Sequence, residues 1–173
     1  TETLREEGRY WVGNNPSRTG VDLDGNVWVG GRSDGRLTKI LWDITSCPDR
    51  NGNGRVDTAT WDNLGPLNSS GDPLADECVV YSAVPNPDRT SIRGSAAGPD
   101  GRIWIGYSGG GIQPIDPHTF ALGAFTSAEG VPLFAPDEVG IQRPVINADG
   151  SPVTDSAGGV YGLVIDANGM LYT

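Results

Sequence analysis

No stretch of about 18 consecutive apolar residues occurs in the chain, so no helix of it is expected to span a bilayer. Positive charge is scarce: 12 Lys and Arg stand against 22 Asp and Glu, a net charge of −10. A surface of that sign repels nucleic acid and anionic membranes and favours cations. Helix-forming composition is lacking as well. With 26 Gly and 13 Pro in 173 residues, helix interiors are weakened and turns multiply. The apolar fraction, 36%, still supports a core built from short alternating strands. Catalytic signatures are also thin. No Gly-x-Ser-x-Gly elbow is present, and Ser, His and Asp form no recognisable triad. Ser108-Gly109-Gly110-Gly111 lacks the lysine and following helix that a phosphate loop requires, and reads as a flexible turn.

Only two cysteines occur, Cys47 and Cys78. They bracket a polar, Gly-rich segment, which suits a disulfide and an oxidising, extracellular or periplasmic compartment. The chain begins at Thr1 without a Met and stops at Leu171-Tyr172-Thr173, inside what reads as a strand. A piece of a longer protein is therefore expected.

What is present is a repeat. Three segments match: Gly20-Val21-Asp22-Leu23-Asp24-Gly25-Asn26-Val27-Trp28-Val29-Gly30, Ala96-Ala97-Gly98-Pro99-Asp100-Gly101-Arg102-Ile103-Trp104-Ile105-Gly106, and Val164-Ile165-Asp166-Ala167-Asn168-Gly169-Met170-Leu171-Tyr172-Thr173. Each reads as strand, tight turn, strand, with Asp-Gly or Asn-Gly supplying the positive φ values of a type I′ hairpin. Trp28, Trp104 and Tyr172 share one repeat position, and Gly30 matches Gly106. The turn glycines Gly25, Gly101 and Gly169 are spaced more widely than a blade of about 40–50 residues. Excising residues 47–78 brings the first spacing to blade size. A long loop over 127–158, rich in Pro, Gly, Asp and Ser, accounts for the second. Further strands are expected over Arg36 to Trp42, Gly111 to Ile115 and Phe120 to Phe125.

The fold class expected over 1–173 is all-β: a partial β-propeller of about three four-stranded antiparallel blades with two long insertions. The competing arrangement is a β-sandwich with coincidental Asp-Gly turns. Three blades do not close a ring, so further blades of the same protein or identical copies are the expected partners. Trp28 and Trp104 are expected to fill space between blades.

The segment Asp49-Arg50-Asn51-Gly52-Asn53-Gly54-Arg55-Val56-Asp57 places oxygen side chains at alternate positions, with Gly54 where a calcium loop turns sharply. Calcium takes six to eight oxygens, and alternate residues of a tight loop all point inward to supply them. The expected ligands are Asp49, Asn51, Asn53, the carbonyl of Arg55, and Asp57. Thr60 stands where a bidentate Glu is usual, so Asp62, which is added to the expected ligands, or else Asp76 or Glu77, fills the gap if the disulfide folds the loop back. The alternative is an Asn-Gly turn cluster without metal. The spacing resembles dockerin and thrombospondin type 3 calcium loops. Asn68-Ser69-Ser70 is a formal glycosylation acceptor.

Arg18, Arg93 and Tyr161 are expected just before the first strand of each unit, the end that opens on a propeller's central channel. They are candidates for an anionic or sugar-like ligand, against the plainer role of pairing with neighbouring blades.

Asp24-Gly25-Asn26-Val27-Trp28-Val29, Asp100-Gly101-Arg102-Ile103-Trp104-Ile105 and Asp116-Pro117 together resemble the virginiamycin B lyase-like (streptogramin lyase) β-propellers, over about half the chain in three patches. The 47–78 insertion resembles one found in secreted bacterial members of that broad group. The resemblance implies a lyase with a histidine base and a divalent cation held by acidic side chains. The single histidine, His118, lies in the turn Asp116-Pro117-His118-Thr119 and reads as a solvated turn residue. Two functions follow: a secreted, calcium-stabilised propeller that binds or assembles, or a lyase-like enzyme whose catalytic residues lie in blades outside this chain.

Overall fold

The structure, a computed structural model, describes residues 8–58, 73–126, 132–136, 142–144, 159–169 and 171–172. It is all-β. Apart from two single-turn 3-10 helices, Ile44–Ser46 and Pro73–Ala75, the described residues form strands and turns. The first sheet contains β1 (Pro16–Val21), β2 (Val27–Gly31), β3 (Leu37–Ile40) and β4 (Val79–Ala83), in that spatial order. The second contains β5 (Ile92–Ala97), β6 (Ile103–Tyr107), β7 (Ile112–Ile115), β8 (Phe125–Thr126), β9 (Pro132–Pro136) and β10 (Gln142–Pro144), again in sequence order from one edge to the other. The third pairs β11 (Val164–Ile165) with β12 (Leu171–Tyr172). All pairings are antiparallel.

Each hairpin opens in the same way. In the first, Asp22 N–H donates to the Asn26 carbonyl at 2.9 Å and Gly25 N–H to the Asp22 carbonyl at 3.0 Å. Gly98 and Arg102 repeat the first bond at 2.9 Å, and Gly101 and Gly98 the second at 3.0 Å; Gly169 donates to Asp166 at 3.0 Å. Positive φ is confined to the glycine, at 88°, 80° and 81° in the three turns. The type I′ expectation is corrected by this geometry. The loop between the paired residues 22 and 26 is one residue longer than a two-residue hairpin, so a left-handed glycine closes it and Asp24 keeps negative φ.

Two other expectations change. No continuous strand forms over Phe120 to Phe125. Phe120 itself takes a φ of 61°, and only the bridge between Ile115 and Leu122 precedes β8. The Asp116 carboxylate explains the bend by capping the turn, accepting from His118 N–H at 2.9 Å and Thr119 N–H at 2.8 Å. Within 127–158, read as a loop, β9 and β10 extend the second sheet beyond four strands. The rest of that segment lies outside the described residues.

Period-two alternation sends successive β2 residues to opposite faces. Trp28, fully buried, packs with Leu37, Ile92 and Ile103 between the first and second sheets. Val29 joins Ile40, Val79 and the two cysteines on the other face. Trp104 lies beside Val160, Leu163 and Ile112, toward the third hairpin. Tyr172, at the same repeat position, is 56% exposed.

The first strands β1, β5 and β11 are edges of separate sheets, and β5 packs against both of the others. Glycine permits the approach. A Cβ on Gly20 would stand 2.8 Å from the Ser95 carbonyl oxygen, and one on Gly94 the same distance from Leu163 Cβ. One strand along, a Cβ on Gly30 would overlap Ile92 Cγ2, and one on Gly106 would overlap Val160 Cγ1. Ile92 and Val160 sit the same distance ahead of their own turn glycines, so the two seams are equivalent by sequence position as well as by contact.

The first seam also carries a buried polar cluster. Asp22 accepts from Trp28 Nε1 at 3.0 Å and from Asn26 N–H at 2.8 Å. Lys39, the one lysine of the chain, places Nζ 3.4 Å from Asp22 Oδ2 and donates to the Pro117 carbonyl at 2.7 Å. Burial opposes the Asp22 charge, but the bonds from Trp28 and Asn26 and the nearby ammonium outweigh it and hold the carboxyl below its usual value.

Two measurements follow. Gly30→Ala and Gly106→Ala are each expected to cost about 1–3 kcal/mol in urea unfolding, because both force the same overpacked seam; a neutral result at either site would break their equivalence. Asp22→Asn is expected to lower stability by about 3 kcal/mol at pH 7, since it leaves Lys39 without its counter-charge. A depressed folded-state value means that the Asp22 contribution is present above the unfolded value of about 3.9 and is lost as pH falls through the folded value. The wild-type melting temperature should therefore drop more steeply below about pH 4 than that of the Asn variant.

Candidate functional site

The insertion is tied at its base. Cys47 and Cys78 form a disulfide with their Cα atoms 4.7 Å apart, as expected. Cys78 is fully buried beside Val79 and Val29, and the Leu41 N–H donates to the Cys78 carbonyl at 2.9 Å. The 47–78 insertion therefore leaves and rejoins the first sheet at one place.

Within that loop the alternate polar residues converge. Asp49 Oδ1 accepts from the N–H groups of Gly52 and Asn53 at 2.7 and 3.1 Å, and its Oδ2 accepts from Gly54 at 2.8 Å. Asn51 Oδ1 takes the Asn53 N–H and Asn53 Oδ1 takes the Arg55 N–H, both at 3.0 Å. The amides of Asn51 and Asn53 both donate to Asp57 Oδ2, at 2.6 and 2.7 Å. Gly52 and Gly54 have φ of 72° and 79°, which lets the chain curl with side chains inward. A single carboxylate thus draws two side chains of the loop to one point, while the Asn carbonyl oxygens keep a second lone pair.

Glu77 closes the arrangement. It is 2% exposed, and its carboxylate accepts from Arg50 N–H at 2.7 Å, Asn51 N–H at 3.3 Å and Asp57 N–H at 2.8 Å. The Arg50 guanidinium bonds the carbonyls of Leu74, Asp76 and Val79 at 2.9, 3.2 and 2.7 Å. A cavity of about 360 Å³ opens beside the loop, lined by Arg50, Asn51, Asp57, Leu74, Ala75 and Glu77. Of the three residues named to complete a cation shell, Glu77 reaches the loop, though through backbone donors. Asp76 is buried next to it, and Asp62 lies outside the described residues. Among the described residues no group of three or more His, Cys, Asp or Glu side chains is placed to hold a metal, so a cation here would need amide and carbonyl oxygens beside the carboxylates of Asp49 and Asp57.

The second candidate set assembles from three strands. Arg18 lies in β1 and Arg93 in β5, within the strands rather than ahead of them, and Tyr161 precedes β11. The guanidinium carbons of Arg18 and Arg93 stand 4.8 and 4.2 Å from the centre of the Tyr161 ring. Arg18 Nε also donates to the Tyr161 carbonyl at 3.4 Å. Tyr161 is 64% exposed. Residues far apart in sequence therefore share one locus, where the first strands meet.

His118 is elsewhere. Its exposed ring places Nε2 3.6 Å from the exposed carboxylate of Asp24, across the first seam. Ser108 to Gly111 form the turn between β6 and β7, and Asn68 lies outside the described residues.

A comparison with family models finds no match, and one with curated proteins finds no similar sequence. No helix among the described residues is long and apolar enough to cross a membrane.

Reduction tests the tie at the base of the insertion. Closing a loop of about 32 residues is worth about 3–4 kcal/mol in the chain-entropy treatment. Reductant, or the pair Cys47→Ser and Cys78→Ser, should lower urea stability by that order; an unchanged midpoint would leave the bridge without a stabilising role.

Proposed function

We propose that the chain is a run of consecutive blades of a secreted β-propeller that works as a binding or surface-assembly module, with the 47–78 insertion held by its disulfide and by calcium. The observation that carries the propeller reading is the repeated seam: Gly30 against Ile92, and Gly106 against Val160. Each hairpin is too small to cover its own aromatic, and the next sheet covers it instead. Trp28 is sealed by the second sheet and Trp104 is half-buried near the third, while Tyr172 is open. On the opposite side of the series, Pro16 and Thr19 are exposed, whereas their repeat equivalents Ile92 and Ser95 are buried. Faces of these two kinds are complementary, and further blades, of the same protein or of identical copies, would cover both.

Secretion is supported by the disulfide, which persists in oxidising compartments. Calcium is supported by the donor chemistry: Asp49, Asn51, Asn53 and Asp57 are hard oxygen donors on a loop whose glycines leave room, since a Cβ at Gly52 or Gly54 would meet nothing within 4 Å. Asp49, Asn51, Asn53, the Arg55 carbonyl and Asp57 would hold the ion. Its chemistry there would be structural: it would offset the negative charge of Asp49 and Asp57 and fix the loop.

The test is thermal melting with calcium and with chelator, each with and without reductant. Calcium at about a hundredfold above its dissociation constant should raise the midpoint by about 5–10 °C, and Asp57→Ala should abolish the rise. A midpoint indifferent to calcium, to chelator and to reductant would remove both the ion and the bridge from this reading.

A further inference from the structure

β1, β5 and the approach to β11 bring two guanidinium groups onto one tyrosine ring, and no carboxylate among the described residues pairs with either. Among the described residues neither Arg18 nor Arg93 has an ion pair, in a chain where acidic side chains outnumber basic ones by 22 to 12. Arg93 Nε is buried and has no hydrogen-bond partner there. Cation–π attraction to Tyr161 accounts for part of the placement. It does not satisfy the donors, because a ring face accepts no fork of parallel N–H bonds. Two like charges held against one ring also repel each other, and an anion between them would relieve that repulsion.

We propose that Arg18 and Arg93 receive an oxyanion, a carboxylate or phosphate group on a small ligand, where β1, β5 and the approach to β11 meet. This rests on the reading of the chain as a binding module and supplies the chemical class it binds. The guanidinium fork matches two oxygens of a carboxylate or phosphate at once. The exposed ring of Tyr161 adds an apolar face for whatever carries the anion, such as a sugar ring. The rest of the acidic surface would exclude anions from other places and leave this position as the one that attracts them.

The experiment is calorimetric titration of the whole chain at low ionic strength. Inorganic phosphate and glucuronate form the two arms, and glucose is the neutral control. Saturable binding is expected for at least one anion and not for glucose. A response to phosphate alone assigns the phosphate class, and one to glucuronate alone the carboxylate class. Arg18→Gln and Arg93→Gln should each weaken binding about tenfold or more, and Arg93→Lys should weaken it too, since an ammonium keeps the charge but loses the fork. Arg18 is exposed, so its variant should keep the wild-type melting temperature and carries the test even if Arg93→Gln unfolds. Absence of binding by both anions, or affinities unchanged in Arg18→Gln, would overturn the proposal. The propeller reading is tested separately, by the unfolding of the Gly30→Ala and Gly106→Ala variants, which reads the seams and not anion binding.

Discussion

Close approach of edge strands that do not hydrogen-bond to each other is the constraint on which the rest of the structure depends. A strand edge normally seeks another strand through its backbone groups. Here β1 meets β5 where a side chain is missing, at Gly20 against Ser95, Gly30 of β2 does the same against Ile92, and the second seam repeats the two contacts with Gly94 of β5 and Gly106 of β6. A methyl group at any of these positions would separate the sheets. That separation would open the space filled by Trp28 and Leu37 on one side of the second sheet, and by Val160 and Leu163 on the other. It would also move Arg18, Arg93 and Tyr161 apart, since Arg18 lies in β1, Arg93 in β5 and Tyr161 just ahead of β11.

The repeats share this geometry while differing in chemistry. At one position the three hairpins carry Asp22, Gly98 and Asp166. Asp22 takes the indole N–H of Trp28, and Asp166 takes the hydroxyl of Tyr172 at 3.3 Å. In the middle hairpin the glycine supplies no carboxylate, and the place of its Cβ is approached by the Asp100 carboxylate at 2.5 Å and by Trp104 Nε1 at 3.0 Å. Lys39 gives the first seam its own link to the second sheet, through Asp22 and the Pro117 carbonyl. The hydrophobic seam is thus general to the series, and the buried ion pair is particular to one junction.

The insertion follows a different logic. Little that is apolar drives the Asp49–Asp57 loop to fold: Val56 alone packs against the Val29, Ile40 and Val79 cluster, and the loop is otherwise polar and mostly exposed. Its order comes from the covalent tie at its base, from the buried Glu77 carboxylate that collects three of its N–H groups, and from Arg50 bonding back to the 74–79 backbone. A loop so tied presents a fixed set of oxygens without needing a core of its own.

The local elements were legible in the sequence because local physics determines them. Asp-Gly and Asn-Gly turns, β-branched and aromatic strand residues, and matched glycines fix where each hairpin starts and stops. Cys47 and Cys78 announced their bridge by framing a segment too polar to fold unaided, and the alternate oxygens of 49–57 marked the loop that curls. The turn subtype was missed because one extra loop residue shifts positive φ onto the glycine alone, and the Phe120 bend because it depends on how Asp116 caps its neighbours. The sequence favours Asp62 over Asp76 and Glu77 to complete the shell, whereas folding brings Glu77 to the loop, because a return from 20 residues away leaves no periodic signal. The junctions themselves belong to the tertiary structure. That Lys39 is buried against Asp22, that Gly106 faces Val160, and that two arginines share one tyrosine are contacts between separate sheets, and spacing along a chain does not specify which surfaces meet.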